Sequence, residues 1–388
     1  MRITWVTRSF LDYRIPIYEE LNRLCDNNLT LIYNAEVVPE RCKKKVESIL
    51  GTRAIGLEGE LRLSGKKIQP LSDIKKGGIR IPVQPNLINT IKKSQADVLI
   101  SDGFFQWTYA ALWLKLIAKI PHIMCYEGTE HTEKNAGFLR LKYRKLASKC
   151  IDMIHVNGIL SKQFLSNVLH IPEHKIALMN MTTEIDVLEK KVRDVKEDLK
   201  LKLKKELNLK THVFLYVGRL VQLKGVSHLL QTWEVVNFEE ASLLIIGDGS
   251  EREALEAFVT SKALKNVHFT GAIDYDDIYK FFAISNCFII PTLKDNWSLV
   301  VPEAMSCGLP IMSSKYNGCW PELVTPKNGW VFDPLDTDQF VETLQQAYAN
   351  KEQWKAMGKE SQHIIQAFSP EKVASRIFNS CKTVAKHG

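Results

Sequence analysis

The sequence predicts an α/β protein built from two Rossmann-like domains, each with a parallel sheet, facing a central cleft. Three observations carry that expectation. With 388 residues the chain is too long for one ordinary hydrophobic core. Short apolar runs rich in β-branched residues alternate with helix-length segments through both halves, and such alternation implies parallel sheets covered by helices on both faces. A strongly charged stretch, "EKKVRDVKEDLKLKLKKELNLK" at 189–210, separates the halves.

The elements follow in order. "RITWV", "LTLIY", "ADVLISD", "PHIMCYE" and "IDMIHVN" read as buried strands of the first half. Helices such as "IPIYEELNRLC" and "FQWTYAALWLKLIAK" fall between them. In the second half "HVFLYVG", "ASLLIIGD", "NVHFTG", "CFIIPT" and "LPIMSS" are strands, each followed by a helix-length segment. Within 189–210, Leu199, Leu203 and Leu207 recur at i, i+4, i+8, which favours a charged surface helix over a flexible linker. The boundary therefore falls near residue 185, giving domains at 1–185 and 186–368. The terminal "FSPEKVASRIFNSCKTVAKHG" reads as a helix with Ser369 as N-cap and Pro370 first, and 369–388 is expected to pack back on the first domain.

Composition narrows the classes. Hydrophobic residues at 45% and charged ones at 25% describe a globular chain. The net charge of +8 suits an anionic ligand or membrane surface but is too mild to argue nucleic acid. Eight scattered cysteines with no C-x-x-C pair read as reduced thiols, not a disulfide framework. No signal peptide is visible, and the longest apolar stretch is interrupted by Lys115 and Lys119, so no bilayer span is expected. The expected location is cytoplasmic, with peripheral contact on the inner face of the membrane.

In parallel sheets, ligands bind beyond the carboxyl ends of the strands. "HVFLYVG" ends on Gly218, and Arg219 and, five residues on, Lys224 follow it, just before a helix start. Two cations placed there form a receptor for phosphate oxygens. After "CFIIPT" the loop carries Asp295, and a helix is expected from near Ser298 to Gly308, with Pro302 confined to its first turn and Pro310 preventing continuation. The backbone N–H groups of Ser298, Leu299 and Val300 would then be free for an anion. Glu303 sits a little more than one turn into this apolar helix, where a carboxylate that meets hydroxyls suits a sugar.

These residues carry a resemblance. "YVGRLVQLKGVSHLL", "LLIIGDGSEREALEAF", "NVHFTG", "DNWSLVVPEAMSCGLPIMSS" and "GCWPELVTPKNGWVFDP" resemble the donor half of retaining glycosyltransferase family 4, which has the GT-B fold. The resemblance covers 212–335 almost continuously. It implies that Glu303 binds the nucleotide's ribose, that the residue eight before it binds the donor sugar, and that Arg219 and Lys224 neutralise the diphosphate. It also implies that the turn from Gly271 to Ile273 faces the base. The family's signature is Glu, seven residues, Glu; here Asp295 replaces the first Glu, Trp297 a usual Phe and Ser298 a usual Gly.

The first half resembles the family less. In place of a glycine-rich loop it has "TRSFLDYRIPIYEEL", whose Arg8, Tyr13 and Arg14 lie where an acceptor could bind. "CYEGTEHTEKN" follows a strand's carboxyl end and resembles the E-x-T-x-H-T-E pattern of a subset of relatives; Glu127 and His131 are expected at the reaction centre and Glu133 on the acceptor side. "FLRLKYRKLASK" (138–149) has five basic residues and no acid, with Leu139, Tyr143 and Leu146 as an apolar stripe. That stripe either faces the core or lies on an anionic leaflet. Other motifs point elsewhere without support. "IDYDD" mimics a metal-binding D-x-D but precedes a helix and reads as capping. "HIPEH" lacks a third zinc ligand, and "GDGSER" has Arg252 where a dinucleotide fingerprint needs glycine.

The resulting expectation is a retaining, metal-independent hexosyltransferase without cofactor. It would take a nucleotide-diphosphate sugar as donor and a hydroxyl of a glycan or lipid-linked glycan as acceptor, in cell-surface polysaccharide synthesis. Two other classes fit parts of the pattern: a GT-B nucleotide-sugar epimerase, and a non-catalytic two-domain sugar-binding protein.

Overall fold

The computed structural model describes residues 1–61 and 82–387. The chain divides into two compact units, Met1–Asn180 with Pro370–Gly388, and Met181–Ser369. The dividing line falls after Asn180 and not after residue 185. Packing is the reason: helix Ile185–Arg193 lies against helices Tyr279–Ala283 and Val300–Ser306, so the segment that leads into it goes with the second unit.

Among the described residues the first unit has seven strands: β1 (Ile3–Val6), β2 (Leu29–Asn34), β3 (Ala54–Leu57), β4 (Val98–Asp102), β5 (His122–Tyr126), β6 (Met153–Val156) and β7 (Ile176–Leu178). They lie in the order β3-β2-β1-β4-β5-β6-β7, all parallel. The second unit repeats the scheme with β8 (His212–Val217), β9 (Ala241–Ile246), β10 (Val267–Gly271), β11 (Cys287–Ile290), β12 (Ile311–Ser314) and β13 (Gly329–Phe332). Its order is β10-β9-β8-β11-β12-β13, again all parallel. In each sheet the order reverses at one point, between β1 and β4 and between β8 and β11. Loops leaving the two strands there turn to opposite faces and open a crevice at the carboxyl edge. The edge strands β3, β7 and β13 were not expected; they are short and partly exposed, so they lack the continuous apolar run that marks central strands.

The terminal helix Pro370–His387 packs along helix Ile15–Leu24 and puts Val373, Ala374 and Ile377 into the core built on Trp5, Tyr18 and Tyr33. Trp5 and Tyr18 meet edge to face at 5.1 Å. The second unit's core centres on Phe214, Trp233, Phe340 and Trp354. The charged stretch forms part of helix Ile185–Arg193 and all of helix Glu197–Glu206, and the latter buries no residue, as a surface helix should. All eight cysteines are free. The acids of "IDYDD" do not cap: helix Tyr279–Ala283 has no side-chain cap, while Asp276 pairs with Lys191 and Asp277 with Lys280.

Candidate active site

In the second unit the two loops at the switch point are stitched together. Leu223 O accepts from Leu293 N at 2.9 Å and from Thr292 Oγ1 at 3.0 Å. Gly225, with φ of 66°, turns the β8 loop so closely past β11 that a Cβ there would strike the Pro291 carbonyl oxygen. This stitching sets Lys224 beside Asp295. Lys224 Nζ donates to Asp295 Oδ2, and both side chains are less than one fifth exposed. The same carboxylate accepts from Ser298 Oγ at 2.6 Å and from the Trp297 N–H at 3.1 Å. Asp295 is fixed from behind as well, because its carbonyl accepts from Gly318 N at 3.0 Å.

Arg219 is placed differently. Its carbonyl accepts from Tyr216 Oη at 3.0 Å, while its side chain is exposed and meets no acid among the described residues. Gly218 donates to Ile246 O at 3.0 Å, and Gly271, at φ 78°, accepts from Gly247 N at 2.9 Å. Both glycines thus sit on the carboxyl edge, anchored through β9. Ile273, two residues on, is half-buried.

The helix expected from Ser298 is shorter, Val300–Ser306, and Gly308 beyond it takes the left-handed conformation. One expected anion donor is therefore lost: the Ser298 N–H donates to Asn317 Oδ1 at 3.3 Å. The Leu299 and Val300 amides keep no acceptor among the described residues. Nor does the Trp297 indole N–H, although the ring is 5% exposed. Glu303 is half-buried, and loss of water around it pushes its carboxyl up from 4.5 to about 8, only partly offset by a hydrogen bond from Thr183. Sequence reasoning missed Asn317 and Thr183. Both are fully or almost fully buried polar residues, and their one-dimensional signal is only a lone polar side chain in a motif-bearing segment.

The first unit has its own polar cluster at the carboxyl edges of β1, β4 and β5. Arg14, 4% exposed, donates to Asp102 Oδ1 at 3.3 Å and to Glu127 Oε1 at 3.2 Å. Burial alone would lower the guanidinium's pKa, but Asp102 together with Tyr13, Tyr18 and Cys125 outweighs it and holds Arg14 well above its ordinary range. Trp5 and Tyr13 rings flank the guanidinium, and burial pushes the Tyr13 hydroxyl up. Asp102 was not foreseen, although its position at the end of "VLISD" next to Gly103 was a signal. His131 lies on the helical turn Glu130–Glu133, whose capping box is made by Thr129 and Thr132, not by the acids.

Two expected acceptor-side residues are satisfied elsewhere in this unit. Arg8 pairs at 2.8 Å with Glu60, whose side chain is fully buried and also accepts from Trp107 Nε1 and Asn34 Nδ2. Glu133 pairs at 2.9 Å with Arg144, which is itself 2% exposed among aromatic rings. In both pairs a buried charge takes its counter-ion from another loop or helical turn, as a low-dielectric site requires.

Known proteins resemble this chain in part of its sequence and in its fold. Residues 198–364, most of the second unit, match the model of the family described as glycosyl transferases group 1. The chain is 22% identical over 331 residues to a glycosyltransferase of Methanocaldococcus jannaschii, covering 76% of this chain and 92% of the relative. It is 22% identical over 333 residues to the sulfoquinovosyl transferase of Arabidopsis thaliana, covering 82% of this chain but 62% of that longer protein. The fold is similar to the crystal structure of Anabaena HepE in complex with UDP, with a TM-score of 0.76 over 99% of this chain and 100% of that one at 14% identity. The architecture is GT-B, and the second unit is similar to the glycosyl transferases of group 1.

Proposed function

We propose that this chain is a retaining glycosyltransferase. It moves a hexose from a nucleoside-diphosphate sugar to a hydroxyl of a glycan or lipid-linked glycan during cell-surface polysaccharide synthesis. The carrying observation is the pairing of an immobilised cation with an unspent one at the second unit's switch point. Lys224 is held by Asp295, while Arg219 is exposed and meets no acid among the described residues. Charge-assisted contacts to phosphate oxygens contribute about 1.5–3 kcal/mol each, and they grow as the diphosphate departs and gains negative charge. The Leu299 and Val300 amides add donors on the same side.

Asp295 changes role in this reading. A carboxylate has about four acceptor positions, and three contacts already engage it. It chiefly positions Lys224, leaving room for one sugar hydroxyl. Glu303, protonated near neutrality, can donate to one ribose oxygen and accept from another hydroxyl. In the first unit Glu127, held by Arg14, and His131 are the groups assigned to the reaction centre. No metal is needed, because the cations and amides supply the positive field. That a structural relative was crystallised with UDP supports a nucleoside-diphosphate donor.

The test is Arg219→Ala, assayed with a panel of nucleotide sugars. Turnover should fall about 10²–10³-fold. A near-wild-type rate would remove Arg219, and with it the diphosphate assignment.

A further inference from the structure

Helix Phe138–Ala147 turns its apolar stripe outward. Phe138, Leu139 and Leu146 are 75%, 69% and 64% exposed, whereas Arg144 and Ala147 on the opposite side are buried. The core-facing alternative raised by the sequence therefore fails for Leu139 and Leu146. At 100° per residue, Lys142, Lys145 and Lys149 fall on the same outward face as those three side chains, and all three are exposed. A helix that only needed solubility would not put its largest apolar groups among them.

A second helix extends this face. Helix Thr108–Ala118 exposes Trp113, Leu116 and Ile117 by half or more. It connects β4 to β5, and the 138–147 helix lies between β5 and β6. Successive crossovers between neighbouring parallel strands put both on one side of the sheet. They also share a core, where Leu112 and Leu141 pack on the cluster around Met124 and Ala147. The two outward faces thus form one side of the unit. No Asp or Glu occurs in 103–126 or 134–151; Lys115 pairs with Asp152 and Arg144 with Glu133, while Lys119, Arg140, Lys142, Lys145 and Lys149 form no ion pair among the described residues. No helix among the described residues is long and apolar enough to cross a membrane.

We infer that this face docks the first unit onto an anionic lipid bilayer. Exposed large apolar side chains interleaved with lysines are complementary to acyl chains beneath a negatively charged headgroup layer. A soluble acidic protein would answer the lysines but leave the Phe138 and Trp113 rings without need. The inference extends the lipid-linked acceptor suggested above, yet it is read without substrate, so its failure and that of the transferase reading are distinguishable.

The experiment is flotation of the full chain with phosphatidylglycerol–phosphatidylcholine vesicles, compared with phosphatidylcholine alone. Binding is expected only to the anionic vesicles and should weaken with salt. K142Q/K145Q/K149Q should reduce partitioning roughly a hundredfold, given about fivefold per lysine. F138S/L139S/L146S should abolish the binding that survives high salt. K202Q/K205Q/K210Q, the same charge change on exposed lysines of the second unit, should bind like wild type. The proposal is overturned by absence of flotation, by equal loss in the 202/205/210 control, or by a soluble dimer that the 138/139/146 variant splits.

Discussion

The two units share a sheet scheme and a switch point, but they treat charge there in opposite ways. In the first unit each arginine placed at the functional edge is neutralised internally: Arg8 by Glu60, and Arg14 by Asp102 and Glu127. In the second unit one cation is clamped and another, Arg219, is left over. A site that receives a polyanion needs positive charge not already spent. A site that must position a neutral hydroxyl is better served by a rigid, self-compensated network, because a loose buried charge is costly. On the proposed reading, the second unit would receive the anionic donor and the first the neutral acceptor.

The comparison can be broken most forcefully at Arg14. Arg14→Ala would strand Asp102 in a buried place and should cost about 3–5 kcal/mol of stability, read as a lowered denaturant midpoint. Arg14→Met with Asp102→Asn should recover part of the loss, since removing both charges is cheaper than orphaning one. A silent Arg14→Ala would mean that the cluster is not internally compensated.

Next comes Glu303. Its folded-state pKa near 8 lies above the ordinary 4.5, so the folded chain keeps a proton that the unfolded chain releases. The stability tied to this proton is fully present below 4.5 and is lost as pH rises through about 8. Glu303→Gln should flatten that decline in melts followed across the window; parallel curves for the two proteins would contradict the burial assigned to this carboxyl. The smallest effect is expected at Arg219, whose replacement by alanine should change stability by less than about 0.5 kcal/mol while cutting turnover as above. A large stability loss there would show that its charge is structural after all, erasing the contrast between the units.

Much of the second unit was legible before the fold was known. Gly218, Arg219, Lys224, Gly271, Asp295 and Glu303 occur in short ordered motifs, and the backbone that presents them depends on local features such as strand ends and the tight passage at Gly225. Two readings there needed correction. The Ser298 amide is consumed by Asn317, and Asp295 is engaged by Lys224, because loops 71 and 19 residues apart in sequence are brought together. In the first unit the arginines were visible but their partners were not.

Alternation of apolar runs, the charged boundary and the terminal helix are set by side-chain periodicity and backbone propensity, which act over a few residues. The sequence alone therefore determined two parallel-sheet units and most of the positions at their carboxyl edges. Which charges are spent was decided only by tertiary structure, since Arg14 meets Asp102 across 88 residues and Glu127 across 113. The same holds for the 138–147 stripe. Periodicity shows that it has an apolar side, but only packing of Ala147 and Arg144 into the first unit decides that Leu139 and Leu146 face outward.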